Sequence, residues 1–455
     1  MEESRTLARF AGKLAYEDLP ETVVEKTKEL ILDQLGCQLA GSTLSWTRPA
    51  YEYVADGNGG RRESTVINYG LRTSAQDAAF VNASFGHGTM GDDTDSVCHA
   101  HFGSIIIPAA LALGEREGIS GRELIKAVVV GYEVASRIGA AAPLAEGRGF
   151  HPGPIFGPFG VAACTGVLLK FNENLILDAM GIAGSHASGL MEYSRSGGTV
   201  NRLHSSIAAY GGMRAAFLAQ KGVKGPSTIL EGERGFLRAY SGESILSETT
   251  QGLGERYRVF LIELKAYCCC GTSTTTLDAI SRIKTRHPFH AEEVEEVIVR
   301  ANPLTFRMTG SVKEPEDVTS AQFSGAFGIA LRLVKGGNSF REYSEENLKD
   351  PKVLELARKT RFVLDEEIGK LPQSDNPAKV LIKLKNGQVY EETVAAGRGS
   401  ILNPMEKEEV NQKFRNYASA VISRPKAEAM VDMVTGLERV DDLSELIQLM
   451  VGNRP

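Results

Sequence analysis

Apolar residues recur every three or four positions along most of the chain up to about residue 257, which is the spacing of amphipathic helices. Two such helices are predicted between residues 4 and 41, with Pro20 at the break between them. Gly41, at the end of the second helix, suits a C-terminal cap. Residues 105–142 are rich in Ala and Gly at the same spacing, and this composition predicts helices that pack closely against each other.

The hydrophobic pattern changes after residue 257. Residues 292–302 alternate and end in β-branched side chains, which predicts a strand, and residues 378–395 predict a hairpin with Asn386 and Gly387 in a type I′ turn. Helical spacing returns near the C-terminus. We therefore predict a mainly α fold with a large all-helical domain and a smaller α/β lid domain. The predicted boundaries are 1–264 for the first part of the helical domain, 265–395 for the lid, and 396–455 for C-terminal helices that return to the helical domain.

Composition narrows the range of partners. The 455 residues carry a net charge of -6, with 42% apolar and 24% charged residues, as in ordinary globular proteins. Such a chain offers no basic face, so we do not expect nucleic acid or membranes as partners. We expect a small-molecule substrate. The N-terminus lacks the pattern of a signal peptide, and six cysteines in so long a chain predict no disulfide framework. We expect a cytoplasmic protein.

Candidate chemistry is densest between His87 and Pro108, where three histidines, three aspartates and two threonines lie between apolar runs. Histidine is the side chain that titrates near neutrality, and polar loops between helices often carry catalytic groups. Three interpretations are open: a metal site, a solvated acidic loop, and metal-free acid/base chemistry. We favour the third, because no HExxH motif or second His/Cys pair at ligand spacing follows.

Two further turns carry polar side chains. His151 lies in a Gly/Pro-rich turn before an Ala-rich helix, and a second polar loop at residues 192–201 contains Arg195 and ends next to Arg202. The glycines here match neither GxGxxG nor GxxxxGK[ST], so no nucleotide cofactor is predicted.

Several passages resemble the MmgE/PrpD family, which contains 2-methylcitrate dehydratase, cis-aconitate decarboxylase and iminodisuccinate epimerase. They follow the family order over nearly the whole chain and include LDQLGCQLAG, AAFVNASFGHGTMGDDTD, HFGSIIIPAALALGE, GFHPGPIFGPFGVAA, NRLHSSIAAYGGMRAAFLA, ERGFLRAY, ELKAYCCCGTSTTTLDAI, AQFSGAFGIAL and NPMEKEEVNQKF. The resemblance implies a helical domain with an α/β lid, assembled as a homodimer. It also implies cofactor-free, usually metal-free handling of a proton alpha to a carboxylate of a small di- or tricarboxylic acid.

The resemblance also implies site residues. The predicted catalytic residues are those at the positions of four family residues. They are His101 for the histidine of the H-P-G-S loop, Asp93 in the D-D-T run, His151 in G-F-H-P and Lys265 for the lysine of K-x-Y-P. We predict substrate contacts by a further set of polar residues, namely Thr94, Arg195, Asn201, Arg202 and Thr272. The chain departs from the family pattern at several positions, among them Met90, Asp95, Asn201, Thr274 and Phe327.

Each candidate also has a structural interpretation. A histidine at a helix start, such as His101, is kept neutral by the helix dipole and can accept a proton, but it can also make only a structural hydrogen bond. Asp93 can orient a histidine or cap a helix. The sequence does not separate His101 from His99, and it favours a core or interface role for His204. The three adjacent cysteines at 268–270 favour core packing over a metal or redox site.

The predicted function is that of an acid/base enzyme without a cofactor or metal, acting on a small carboxylic acid. A dehydratase-type lyase is the first prediction on the family pattern. The alternatives are an epimerase or isomerase, a decarboxylase, and a non-catalytic relative that binds a metabolite.

Overall fold

The computed structural model describes residues 2–57, 60–196, 198–312, 314–372 and 375–452, with the side chains of residues 195 and 196 left out. The predicted mainly α fold is confirmed. The α-helices over these residues are α1 Glu3–Lys13, α2 Glu21–Gly41, α3 Arg48–Asp56, α4 Ala75–Gly88, α5 Gly103–Glu117, α6 Gly121–Ala140, α7 Pro152–Leu168, α8 Glu173–Ala183, α9 Tyr193–Ser196, α10 Asn201–Gln220, α11 Phe236–Tyr240, α12 Ser247–Thr250, α13 Thr274–Arg286, α14 Pro303–Thr309, α15 Val318–Gln322, α16 Gly325–Lys335, α17 Pro351–Arg358, α18 Lys407–Ala418, α19 Arg424–Thr435 and α20 Ser444–Leu449. The strands are β1 Ser64–Val66, β2 Leu71–Thr73, β3 Thr94–Asp95, β4 Ile262–Glu263, β5 Val294–Ala301, β6 Thr360–Leu364, β7 Ala378–Leu384 and β8 Val389–Val394.

Two compact units divide the chain. The first contains residues 1–262 and 406–455, and the second contains residues 263–405. Among the described helices, none combines the length and the apolar character needed to cross a membrane. That the second unit acts as a lid stays a prediction.

Helix ends in the first unit follow local sequence signals. The Ser120 hydroxyl accepts a hydrogen bond from the Glu123 N–H, and the Glu123 carboxylate accepts one from the Ser120 N–H, which forms a capping box at the start of α6. Just before it, α5 ends at Gly118, which has φ 63° and supplies the left-handed residue that terminates many helices. These signals fix where α5 ends and where α6 begins.

Small residues allow the helices that carry the site to approach closely. In the first unit α7 packs against α5, α6 and α10. A Cβ added to Gly160 of α7 would lie 2.5 Å from the carbonyl oxygen of Gly131 in α6, so only glycine fits at this crossing. This agrees with the close packing that the Ala- and Gly-rich segments predict.

Gly41 has a different role from the predicted one. It is the last residue of α2 and is followed by Ser42 in the right-handed helical region, so the predicted C-terminal cap at Gly41 is wrong. A Cβ on Gly41 would lie 1.8 Å from the carbonyl oxygen of Phe85. The glycine is needed because the backbones of α2 and α4 meet there.

The second unit contains a four-stranded sheet in the order β6-β5-β7-β8. Strand β5 runs parallel to β6 and antiparallel to β7, and β7 is antiparallel to β8. The alternation that predicted β5 places Val297 and Val299 in the core, opposite Ile382 and Val380 of β7. Helix α13 packs against β7 and β8.

The hairpin between β7 and β8 forms as predicted, but with another turn type. Gly387 has φ 88°, whereas Asn386 is not among the described residues with positive φ, and a type I′ turn requires positive φ at both central positions. The Gly387 N–H donates to the Leu384 carbonyl, and the Leu384 N–H donates to the Gln388 carbonyl. The type I′ prediction is therefore wrong, and the loop is a longer one closed by a left-handed glycine.

Candidate active site

Four helix ends in the first unit bring four histidines together. His87 lies in the last turn of α4, His101 precedes α5 by two residues, His151 is the N-cap of α7, and His204 lies in the first turn of α10. The ring centroids are 5.1 Å apart for His87 and His101, 6.4 Å for His87 and His151, and 4.9 Å for His151 and His204. His101 and His151, which are distant in sequence, thus belong to one cluster.

Most of this histidine cluster is closed off from solvent. His87, His151 and His204 are buried, whereas His101 is partly exposed. Tyr193 of α9 covers the other end, with its ring 5.6 Å from that of His151. Of these four rings, that of His101 is therefore the most exposed to solvent.

His87 is held by a carboxylate. Its Nδ1 lies 2.8 Å from Oδ2 of Asp92, and both side chains are buried. An ionised carboxylate only accepts hydrogen bonds, so with Asp92 ionised the proton of this contact is on Nδ1 of His87 and Nε2 is left for other contacts.

His101 is also held through its Nδ1 atom, but by a neutral group. Its Nδ1 donates to the backbone carbonyl of Asp93, and the Thr94 hydroxyl lies 3.3 Å from the same nitrogen. A carbonyl only accepts, so in the neutral ring the proton is on Nδ1 and the lone pair is on Nε2. His101 can therefore act as a base at Nε2, or as an acid there once protonated.

His151 is held by a second imidazole. The Nδ1 atoms of His151 and His204 are 2.7 Å apart, so one of them donates to the other. Burial is the main cause that lowers the pKa of His151 well below its usual value, and the neighbouring His204 adds to the effect. Burial, with a smaller effect from His87, lowers the pKa of His204 to about 4. Both rings are thus predominantly neutral near pH 7.

The Asp93 side chain caps a helix, which is one of the roles considered for it, and it also binds a second helix. Its carboxylate accepts hydrogen bonds from the Gly103 N–H at 3.0 Å and from the Tyr132 hydroxyl at 2.6 Å. The first of these bonds caps α5, and the second ties the loop to α6. Burial raises the pKa of Asp93 to about 7, although the Tyr132 hydrogen bond opposes the change. Its side chain touches the loop and the helices, and a role in catalysis stays a prediction.

The predicted substrate contacts are divided among three parts of the chain. Asn201 and Arg202 open α10, both are buried, and the Arg202 guanidinium donates to the carbonyl of His87 at 3.4 Å. The Asn201 Oδ1 atom is buried without a hydrogen-bond partner among the described residues. The side chain of Arg195 lies outside the described residues. Thr94 is half-buried beside His101.

Lys265 and Thr272 belong to the second unit. Lys265 is buried, and the Thr272 carbonyl accepts a hydrogen bond from the Thr305 hydroxyl at 3.3 Å. Their predicted contact with substrate stays a prediction.

Several neighbours of these residues have structural roles. His99 is exposed and pairs with Glu146 at 2.9 Å, so the structure separates it from His101. The buried Asp95 carboxylate accepts from the N–H groups of Val97 and Cys98 and closes the turn between them. The cysteines at 268–270 are all buried, which agrees with core packing.

Sequence reasoning missed three members of the site. His87 was counted in the dense segment but given no role of its own, and His204 was assigned to the core or to an interface. Tyr132 had no local signal because it lies in the middle of an apolar helix. The spacing of His204 three residues after Asn201, on one face of α10, could have indicated a shared pocket. The contact from Tyr132 to Asp93 depends on the packing of α6.

Within the ranges that the structure describes, no three His, Cys, Asp or Glu side chains are arranged to hold a metal ion. The absence of a metal requirement stays a prediction, which chelation can test.

Fold and site together define a mainly helical protein with a half-closed histidine cluster at four helix ends. The N-terminal domain of the MmgE/PrpD family matches residues 5–249 and its C-terminal domain matches residues 267–439. The chain belongs to the MmgE/PrpD family, as the resemblance indicated.

Two relatives extend the comparison over the whole chain. A cis-aconitate decarboxylase of Aspergillus terreus is 30% identical over 98% of this chain and 95% of its own length. A cis-aconitate decarboxylase of Homo sapiens is 25% identical over 96% of this chain and 92% of its own length.

These relatives correct one prediction. The prediction of a hydro-lyase or an isomerase as the enzyme class is wrong, because the named relatives are decarboxylases, which are carboxy-lyases. The histidines and aspartates that carried the prediction can move a proton in any of these reactions. They do not specify whether water or carbon dioxide leaves.

Proposed function

We propose that this protein is a decarboxylase of a small unsaturated tricarboxylic acid, with cis-aconitate as the first candidate. The observation that carries the proposal is the similarity to a cis-aconitate decarboxylase over nearly the full length of both chains. The histidine cluster contributes the chemistry that such a reaction needs.

Decarboxylation breaks the bond between a carbon and its carboxylate. Carbon dioxide leaves, the bonding electron pair stays on the substrate, and delocalisation into a neighbouring double bond or carboxylate stabilises the resulting carbanion. A proton must then be added to carbon, and a general acid within hydrogen-bond reach supplies it. For a tricarboxylic acid the products are carbon dioxide and an unsaturated dicarboxylic acid.

We assign the proton delivery to His101 and His151. Each ring has its Nδ1 fixed, by the Asp93 carbonyl and by His204 respectively, and each therefore presents Nε2. Asp93 positions the loop that carries His101 through its bonds to Gly103 and Tyr132. Arg202 and Asn201, buried at the start of α10, are the candidates in this unit for contact with the retained carboxylates.

A direct assay tests the proposal. Purified protein is incubated in deuterated water with cis-aconitate labelled with ¹³C in its carboxylates, and labelled carbon dioxide and the organic product are followed by NMR. We expect carbon dioxide in equal amount to a dicarboxylic acid that carries one carbon-bound deuterium. EDTA in a parallel sample is expected to leave the rate unchanged. Release of no carbon dioxide from cis-aconitate or related unsaturated tricarboxylic acids would contradict the proposed function.

A further inference from the structure

Two buried serines join the helix ends that carry His101 and His204. The Ser104 hydroxyl of α5 lies 3.0 Å from the carbonyl oxygen of His101 and 2.9 Å from the Ser205 hydroxyl of α10. A carbonyl only accepts, and a hydroxyl has one proton to donate. Ser104 therefore donates to the His101 carbonyl, and Ser205 donates to the Ser104 oxygen.

Helix α10 binds two ends of the histidine cluster from a single turn. Ser205 directs its hydroxyl to α5, and the preceding residue, His204, directs its ring to His151 at the start of α7. Neighbouring residues on a helix point in different directions, so one turn can contact two other helices. Hydrogen bonds and one peptide link thus connect the backbone of His101 with the ring of His151.

The serine pair is closed off from solvent. Ser104 is 0% exposed and Ser205 is 3% exposed, so their hydrogen bonds are shielded from competition by water. A proton donor must lie within hydrogen-bond reach of the atom that it protonates, and a misplacement of about 1 Å can lower a rate about 100-fold. Bonds that fix two donors relative to each other can therefore matter for the rate without touching the substrate.

We propose that Ser104 and Ser205 are positioning residues of the site, an inference that rests on the proposed decarboxylation. They set the separation of His101 and His151, the two groups assigned to proton delivery. Ser104 holds the backbone of His101, whereas the Asp93 carbonyl holds its ring. Ser205 fixes Ser104 to the helix whose His204 ring holds His151. Because neither hydroxyl carries the transferred proton, both are expected to affect the chemical step and not substrate binding.

Alanine variants test the positioning role by kinetics. Ser104→Ala and Ser205→Ala are each expected to lower kcat by about 10-fold, part of the loss that misplacement can cause, with KM little changed. The double variant is expected to lose no more than Ser104→Ala alone, because both changes break the same bond and coupled effects are not additive.

Ser206→Ala is the matched control. Ser206 follows Ser205 in α10 and is equally buried, but its hydroxyl has no hydrogen-bond partner among the described residues. This variant is expected to leave kcat and KM unchanged. Normal kcat in both Ser104→Ala and Ser205→Ala would overturn the proposal, and so would an equal loss in Ser206→Ala or losses that multiply in the double variant. If Ser104→Ala fails to fold, the comparison of Ser205→Ala with Ser206→Ala decides.

Chemical modification of His101 separates this inference from the proposed function, because it needs no turnover. Diethyl pyrocarbonate acylates neutral imidazole nitrogens, and mass spectrometry measures the modified fraction of His101 over time. The rate is expected to rise in Ser104→Ala and Ser205→Ala, since the loop loses its anchor to α10, and to stay at the wild-type value in Ser206→Ala. An unchanged rate in both serine variants would overturn the positioning role. Absence of decarboxylation by the wild-type protein would refute the proposed function, while the acylation rates would still show whether the serine pair holds His101.

Discussion

At the scale of single residues, the chemistry of this site depends on which atom holds each imidazole. His101 and His151 both have Nδ1 fixed, and both are expected to exchange protons at Nε2. Replacing either residue with Ala should lower turnover by about 100-fold or more, as expected for the loss of a general acid or base. The measurement is the rate of carbon dioxide release by each folded variant. His99→Ala, which removes an exposed histidine, is the control. Near-normal turnover in both single variants would exclude His101 and His151 from catalysis.

Asp93 makes stability depend on pH in a predictable direction. Its pKa is raised by burial from an ordinary value of 3.8 to about 7, so between these values the folded protein binds more protons at this position than the unfolded chain does. The contribution of Asp93 to the free energy of unfolding therefore falls as pH rises from about 4 to about 7. We expect Asp93→Asn to flatten the fall of Tm over this range, although it lowers Tm overall by disturbing the bonds to Tyr132 and Gly103. The exposed control Asp441→Asn is expected to leave the slope of Tm against pH as in the wild-type protein. The same unchanged slope in Asp93→Asn would contradict the prediction.

The kinds of residue at the site could be predicted from the sequence, but most of their contacts could not. The density of histidine and aspartate around Asp93 indicated acid/base chemistry, and the resemblance indicated His101 and His151. The hydrogen bond from Tyr132 to Asp93 joins residues 39 positions apart and exists only because α6 packs beside the loop. Likewise, the contact of His204 with His151 spans 53 positions and depends on how α7 and α10 cross.

At the scale of helices and strands, local sequence signals predicted a helix boundary correctly. They did not predict why a glycine is needed at Gly41. Ser120 and Glu123 mark the start of α6 in the sequence, because a capping box is a local structure. Gly41 lies where a cap glycine is expected, yet it is required by the backbone of Phe85 on another helix. A sequence does not show which helix a given face will meet.

Gly41 gives a prediction for the packing of α2 against α4. An Ala at this position would place its Cβ against the Phe85 carbonyl, so the helices must separate, at a cost of about 1–3 kcal/mol or more in the free energy of unfolding. Activity should fall as well, because α4 carries His87. Gly12→Ala in α1 is the control, since its nearest neighbour would be 3.4 Å away and Ala favours the helix. Tm measurements should show a loss for Gly41→Ala and little change or a gain for Gly12→Ala. Equal Tm values would show that α2 and α4 can adjust.

At the scale of the whole molecule, the family and the fold class could be predicted, and the reaction could not. The motifs that identify the family contain proton-transfer groups. Such groups can act in dehydration and in decarboxylation. What distinguishes the reactions is the group that leaves, which depends on how the substrate lies in the pocket. Asn201, one of the positions that depart from the family pattern, is buried at the start of α10 next to Arg202. The homodimer and the cytoplasmic location stay predictions.

The C-terminal segment has a direct connection to the histidine cluster. Lys413 of α18 pairs with Asp33 of α2 at 2.7 Å and donates to the carbonyl of Gly91 at 2.6 Å, next to Asp92. All of these groups are buried. A helix more than 300 residues away in sequence thus helps to hold the loop that carries the site.

This connection gives a prediction with a control on the same two helices. Lys413→Met should lower the free energy of unfolding by about 3–5 kcal/mol, because it leaves the Asp33 carboxylate buried without its cation. It should also lower turnover, because the loop at Gly91 loses an anchor. Lys407→Met removes a second pair between α18 and α2, the exposed contact of Lys407 with Glu25 at 3.3 Å, and should change stability by less than about 1 kcal/mol.

The double variant Asp33→Asn/Lys413→Met separates charge from anchoring. Removing both charges should recover a large part of the stability lost in Lys413→Met, since no unpaired carboxylate remains, and coupled neighbours are not additive. Turnover should stay low, because the hydrogen bond to the Gly91 carbonyl is still missing. Denaturant unfolding and carbon dioxide release, measured on the same preparations, check both statements. Full recovery of turnover in the double variant would show that Lys413 neutralises Asp33 and does not position the loop.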